Sequence, residues 1–97
     1  MLKLNSKQRA YLRGLAAKEP AIMQIGKDGV TENLIRTLSD ALEARELVKL
    51  SLLENSGLDT AEAAAALEAG TGAVTVCRIG RKIVLYREAE TNKRITL

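Results

Sequence analysis

The sequence predicts an α/β fold in the order α-β-α-β-α-β-β, a mixed four-stranded sheet with three helices. Three observations lead there. Asn5 with Gln8 and Asp59 with Glu62 are spaced as capping boxes, each opening a helix. Apolar, β-rich segments at 21–25 and 46–55 alternate with helical periodicity, which makes strand–helix–strand crossovers and parallel strands. The closing stretch "AVTVCRIGRKIVLYR" is a hairpin whose two-residue loop, Gly80 and Arg81, suits a type II′ turn because glycine comes first.

Taken in order, the first helix starts at Ser6 behind Asn5. Leu4, Tyr11, Leu12 and Leu15 cluster on one side of it, and Arg9 and Arg13, four apart, share another. Pro20 stops the helix by excluding a helical conformation at Glu19. "AIMQI" is a short buried strand. Thr31 caps the second helix, in which Leu34, Leu38, Ala41 and Leu42 recur at helical spacing up to about Arg45. In "ELVKLSLLEN", Val48, Leu50 and Leu52 alternate with Lys49 and Ser51, the period of a strand with one drier face. The alanine-rich third helix follows Asp59, and Gly70 is the expected end. From Glu88 onward the tail is polar and expected to be mobile or weakly paired.

A chain of 97 residues has room for one core and one domain. No apolar run approaches the roughly 18 residues of a membrane span, and "MLKLNSKQRAYL" lacks the apolar stretch of a signal peptide. Cys77 is the single cysteine, so no internal disulfide forms and a cytoplasmic location is expected. The absence of histidine excludes His-based triads and the usual zinc sets. With only Tyr11 and Tyr86 as aromatics, no base-stacking platform is available. Asp59 and Glu62 are explained by capping, Cys77 has no base to activate it, and no catalytic constellation remains. The expectation is a non-enzyme with no metal, cofactor or small-molecule substrate.

Charge is unevenly spread. Residues 1 to 27 carry six basic side chains against Glu19, residues 28 to 70 three against nine acids, and residues 71 to 97 six against two. The balances of +5, −6 and +4 sum to the net +3. If the fold brings the two ends together, one face becomes positive enough to attract a polyanion. The acidic second helix, with Asp40, Glu43 and Glu46, is expected to be a solvated face turned away.

"QIGKDGVTENLI" is the most suggestive stretch. Gly26 and Gly29 permit close backbone approach, Lys27 adds a positive charge, and the amino end of the next helix lies alongside. The same features serve an ordinary strand-to-helix turn, and the loop by itself leaves both readings open. A Walker A loop is excluded because Asp28 follows the lysine, and a Rossmann fingerprint lacks its third glycine. The GXXG loop of KH domains joins two helices, whereas this one leaves a strand.

Together "LNSKQRAYLRGLA", "QIGKDGVTENLI", "ALEARELVKL" and "RIGRKIVLYR" resemble, in that order from Leu4 to about Arg87, a bacterial CRM domain (chloroplast RNA splicing and ribosome maturation) of the stand-alone YhbY type. The resemblance implies strand order 1-2-4-3 with the last strand antiparallel to the others. It also implies a fold similar to the C-terminal domain of bacterial translation initiation factor 3. It implies RNA binding and association with precursors of the large ribosomal subunit, as an assembly factor. Matched residue by residue, the RNA-contacting loop is Gly26, Lys27, Asp28 and Gly29, and the basic positions of the first helix are Lys7, Arg9 and Arg13. Arg78, Arg81, Lys82 and Arg87 are further candidates. The chain departs from the family in having Ala17 where a histidine is common, and in a link, "AKEP", one residue short. The expected partner is ribosomal RNA or a pre-ribosomal particle, bound by a monomer without membrane contact. The alternative is a protein–protein adaptor on a ribonucleoprotein.

Overall fold

The structure, a computed structural model, describes residues 4–91 and 93–97. Asn5 and Gln8 exchange side-chain-to-backbone hydrogen bonds of 2.8 and 3.1 Å, and α1 (Ser6–Ala17) begins behind them. β1 (Met23–Ile25) follows Pro20, and α2 (Glu32–Arg45) is capped by Thr31. β2 (Leu47–Leu52) leads through a single 3-10 turn (Glu54–Ser56) to α3 (Thr60–Thr71), which opens on the Asp59–Glu62 box. β3 (Val74–Ile79) and β4 (Lys82–Tyr86) form the hairpin. Gly80 has φ 58° while Arg81 stays at negative φ, as a turn with glycine first requires.

The sheet order is β1-β2-β4-β3. β1 and β2 are parallel, and β4 runs antiparallel to both of its neighbours. Alternation along β2 divides the core into two. Val48, Leu50 and Leu52 join Ile25, Ile83 and Leu85 beneath Leu38 and Leu42 of α2 and Ala63 and Leu67 of α3. On the other face Leu12 and Ala16 of α1 cover Val74, Val76, Val84 and Tyr86, with Leu47 alongside. α1 thus rests on the hairpin and brings Arg9 and Arg13 to the face that Lys82 shares by alternation, whereas Arg78 and Arg87 reach α3 and α2 on the other side.

Four expectations change. The third helix runs through Gly70 to Thr71, and Gly72, at φ 77°, ends it. Gly70 instead lets α3 approach α2, since a Cβ there would sit 2.5 Å from Ile35 Cδ1. Tyr11 is half exposed and outside the core. The tail is held firmly. Ala89 is buried, and Ile95 packs against the α1-side core. Glu46 is the reason, because it is fully buried and not part of a solvated acidic face. Its carboxylate accepts the backbone N–H groups of Ala89 at 2.8 Å, Ile95 at 2.7 Å and Arg94. Glu43 accepts the N–H groups of Glu90 and Thr91, both at 3.0 Å. Lys3, one of the amino-terminal cations, lies outside the described residues.

Candidate nucleic-acid interface

Ile25, buried at the end of β1, anchors the glycine loop. Its C=O accepts the Leu53 N–H at 2.9 Å, tying the loop to the segment after β2. Gly26 to Gly29 then form one tight turn, closed by the Gly29 N–H donating to the Gly26 C=O at 2.9 Å. Gly29 needs its glycine, because φ is 68°. A Cβ on Gly26 would meet Leu53 at 3.7 Å and Asn55 at 3.8 Å, so the 53–55 segment backs the turn from behind. Lys27 and Asp28 stand at its tip, exposed, and neither makes a hydrogen bond or ion pair among the described residues. The first turn of α2 lies directly beyond. Thr31 Oγ1 takes the Leu34 N–H at 3.1 Å, which leaves the amides of Glu32 and Asn33 without helical acceptors.

The loop corner is nonetheless poor in net positive charge. Asp28, Glu32 and Glu54 surround Lys27 in sequence and on neighbouring segments. The cations sit elsewhere at this end of the molecule. Since β1 and β2 are parallel and β4 opposes them, the hairpin tip lies at the same end of the sheet as the glycine loop. There Arg81 brackets Leu52: its C=O accepts the Leu52 N–H at 2.7 Å and its Nε donates to the Leu52 C=O at 2.9 Å. Lys82 Nζ donates to Ser51 Oγ at 2.6 Å, and Arg78 reaches Thr60 Oγ1 at 3.2 Å.

The three basic positions of α1 do not form one stripe. At about 100° per residue, Arg9 and Arg13 are about 40° apart while Lys7 is about 160° from Arg9. Lys7 lies with Gln8 and Tyr11 in a cleft against Thr96 and Leu97 of the tail. On the opposite flank, Arg9 Nη1 donates to the Thr75 C=O at 2.8 Å and the Val76 C=O at 3.2 Å. Those carbonyls lie at the bulge where the register shifts between Thr75 and Cys77. Arg9 therefore docks α1 on the β3 edge, and Arg13, one turn on, is the freer cation of that flank. Arg87 is spent inside the fold: its guanidinium donates to Ser39 Oγ and C=O, both at 2.8 Å, and to the Thr71 C=O at 2.9 Å.

A family model for the CRS1/YhbY (CRM) domain matches residues 4–87. The chain belongs to this family. The same CRM chain is 45% identical over 94 residues to the Bacillus subtilis "Probable RNA-binding protein YqeI", covering 97% of this chain and 98% of that one. It is 32% identical over 96 residues to an "RNA-binding protein" of Haemophilus influenzae, covering 96% and 94%. A chloroplastic CRM-domain containing factor of Arabidopsis thaliana matches at 30% over 76 residues, which is 78% of this chain and 8% of the plant protein. The solution structure of a Staphylococcus aureus protein superposes with a TM-score of 0.81 at 45% identity, covering 98% of this chain and 99% of that one.

One cation of this CRM chain was not singled out from the sequence. Lys49 lies on β2 between Leu47, which faces α1, and the lysine-paired Ser51. The strand alternation that puts Val48, Leu50 and Leu52 in the core also puts Lys49 on the opposite face, so the signal was present.

Proposed function

We propose that this protein is a non-enzymatic RNA-binding factor that associates with precursors of the large ribosomal subunit in the cytoplasm, acting as a monomer. The observation that carries the reading is the Gly26–Gly29 turn. It projects an unpaired Lys27 beside the free amides of α2, in a chain whose relatives are named RNA-binding proteins. Gly26 and Gly29 let the backbone come close to a phosphate, Lys27 supplies charge there, and Asp28 at the tip limits approach to one side. Arg13 extends the contact. Arg9 contributes its remaining guanidinium edge, and Lys7 serves a separate patch on the tail side. Without aromatic platforms, recognition rests on shape and backbone.

The test is Lys27→Ala against Arg36→Ala, an exposed change on α2, with binding to a large-subunit ribosomal RNA transcript measured and folding checked by circular dichroism. Lys27→Ala should weaken binding about three- to fivefold at 0.1 M salt, the value of about one phosphate contact. Equal affinity in both variants and the native protein would remove the loop from the site. Gradient sedimentation of extract should place the protein with large-subunit precursors. Retention of the same partner after ribonuclease treatment would favour the adaptor reading instead.

A further inference from the structure

The sheet face beneath α1 is open at its end toward the glycine loop, and its register identifies the open row. Leu47, Tyr86 and Val74 form a cross-strand row under α1. The next row toward the glycine loop pairs Lys49 with Val84 and Val84 with Cys77; Val84 is still buried under α1, and Lys49 and Cys77 are half-buried at the margin of the cover. The last row runs Gln24, Ser51, Lys82 and Ile79 across all four strands. Gln24 and Lys82 are exposed, and Ile79 is 59% exposed. Ile22, preceding β1, is 39% exposed beside Lys49, whose C=O accepts its N–H at 3.0 Å.

Charge selects the occupant of this shelf. None of these row residues is acidic, although the chain carries twelve acids. The acids of α2 and α3 belong to helices packed on the opposite face. The tail runs along the Gln8 and Tyr11 flank of α1, and Arg9 on the opposite flank reaches the β3 bulge, beside the Cys77 row, with Arg13 one turn further along that flank. The Lys49 side chain makes no hydrogen bond or ion pair among the described residues, and that of Lys82 meets only the neutral Ser51 hydroxyl. Lys49 and Lys82 are diagonal neighbours, about 7–8 Å apart at the backbone. An ordinary solvated face interleaves both signs of charge, and this one does not.

We propose that the open end of the α1-side sheet face, the Gln24–Ser51–Lys82–Ile79 row with Lys49 at its margin, is a second RNA contact. It takes the sugar–phosphate backbone of a strand that enters at the glycine loop and crosses β1, β2 and β4 toward Arg13. This rests on the RNA-binding reading above and extends it. Lys49 and Lys82 supply the phosphate charge that the loop corner, crowded by Asp28, Glu32 and Glu54, lacks. Ile22 and Ile79 bound the shelf on its two sides and offer apolar surface to ribose.

The experiment measures binding of one fluorescein-labelled RNA hairpin to the full chain, as the native protein and as Lys27→Ala, Lys49→Ala/Lys82→Ala and Lys49→Arg/Lys82→Arg variants. The double alanine variant should lose about tenfold in affinity at 0.1 M salt, with the salt slope falling by about two. The double arginine variant should bind like the native chain. Acetylation of the native protein should be slowed by RNA at Lys49 and Lys82 but not at Lys18. Native affinity in a folded double alanine variant, with Lys27→Ala weakened, overturns the sheet contact and leaves the RNA reading standing. Full acetylation of Lys49 and Lys82 in the RNA complex overturns it equally. A native chain that binds no hairpin removes both.

Discussion

Glu46 occupies a backbone position that usually belongs to glycine. It follows the last turn of α2 at φ 66°, the one non-glycine residue with positive φ among the described residues. With ψ at −34° it lies outside the left-handed helical well, in a sparsely populated region that costs a side-chain-bearing residue about 1–3 kcal/mol. What offsets the cost is the side chain, whose two oxygens collect three backbone N–H groups of the tail. Burial pushes its carboxyl up, but the N–H groups of Ala89, Arg94 and Ile95, with the Lys93 charge, more than reverse this and hold it below the ordinary value of 4.5. Glu46→Gln keeps one acceptor oxygen and turns an NH2 toward a donor. It should destabilise the fold by about 1–3 kcal/mol, read by urea denaturation, with faster amide exchange at Ala89. The sign for pH follows from the depressed native value. The clasp contributes fully above the unfolded value near 4.5 and fades as pH falls through the lower native one. The Gln variant should lack that part of the acid dependence. A glutamate in a charged helix tail reads as solvated from sequence, because its role depends on a partner segment more than 40 residues away.

At the scale of elements, capping residues, apolar runs and strand alternation located the three helices and four strands of the described residues. β1 nonetheless starts at Met23, and the stretch expected as strand to 55 ends at Leu52, before the 3-10 turn. Thr31, Asn5 and Asp59 each bond the amide that local geometry predicts. The two helical glycines were not distinguishable in this way. Gly14 lies on an open flank of α1, where a methyl group would have nothing within 4 Å, whereas one on Gly70 would meet Ile35 of α2. Substitution by alanine should therefore have opposite signs. Gly14→Ala should raise stability by about 0.5–1 kcal/mol through helix propensity. Gly70→Ala should lower it by about 1 kcal/mol, because overpacking of about 1–3 kcal/mol outweighs the same gain. Thermal unfolding of the two variants side by side measures both. Propensity is local, and the Ile35 contact is set by how two helices cross.

For the whole molecule, the charge segregation seen along the sequence carries over in part. α1 with Arg9 and Arg13 covers one face of the sheet and the acidic helices the other, while Arg78 and Arg87 of the basic carboxyl-terminal stretch reach α3 and α2. If the loop, Arg13 and the two sheet lysines neutralise about four phosphates, the log–log salt slope on duplex RNA should be about −3 to −4, by analogy with the B-DNA rule. A binding constant insensitive to salt would contradict an interface built on these cations. By itself the sequence determined the element order, the hairpin turn and the glycine loop, because hydrophobic period, capping and glycine placement are encoded within a few residues. Outside the Asp59–Glu62 capping box, tertiary structure decided the uses of the charged side chains. It spent Arg87 and Arg9 on backbone carbonyls and buried Glu46 under the tail. It left Lys82 exposed and Lys49 half-buried on the sheet face that carries α1. The reason is that a charge finds its partners through long-range packing, which no local pattern records.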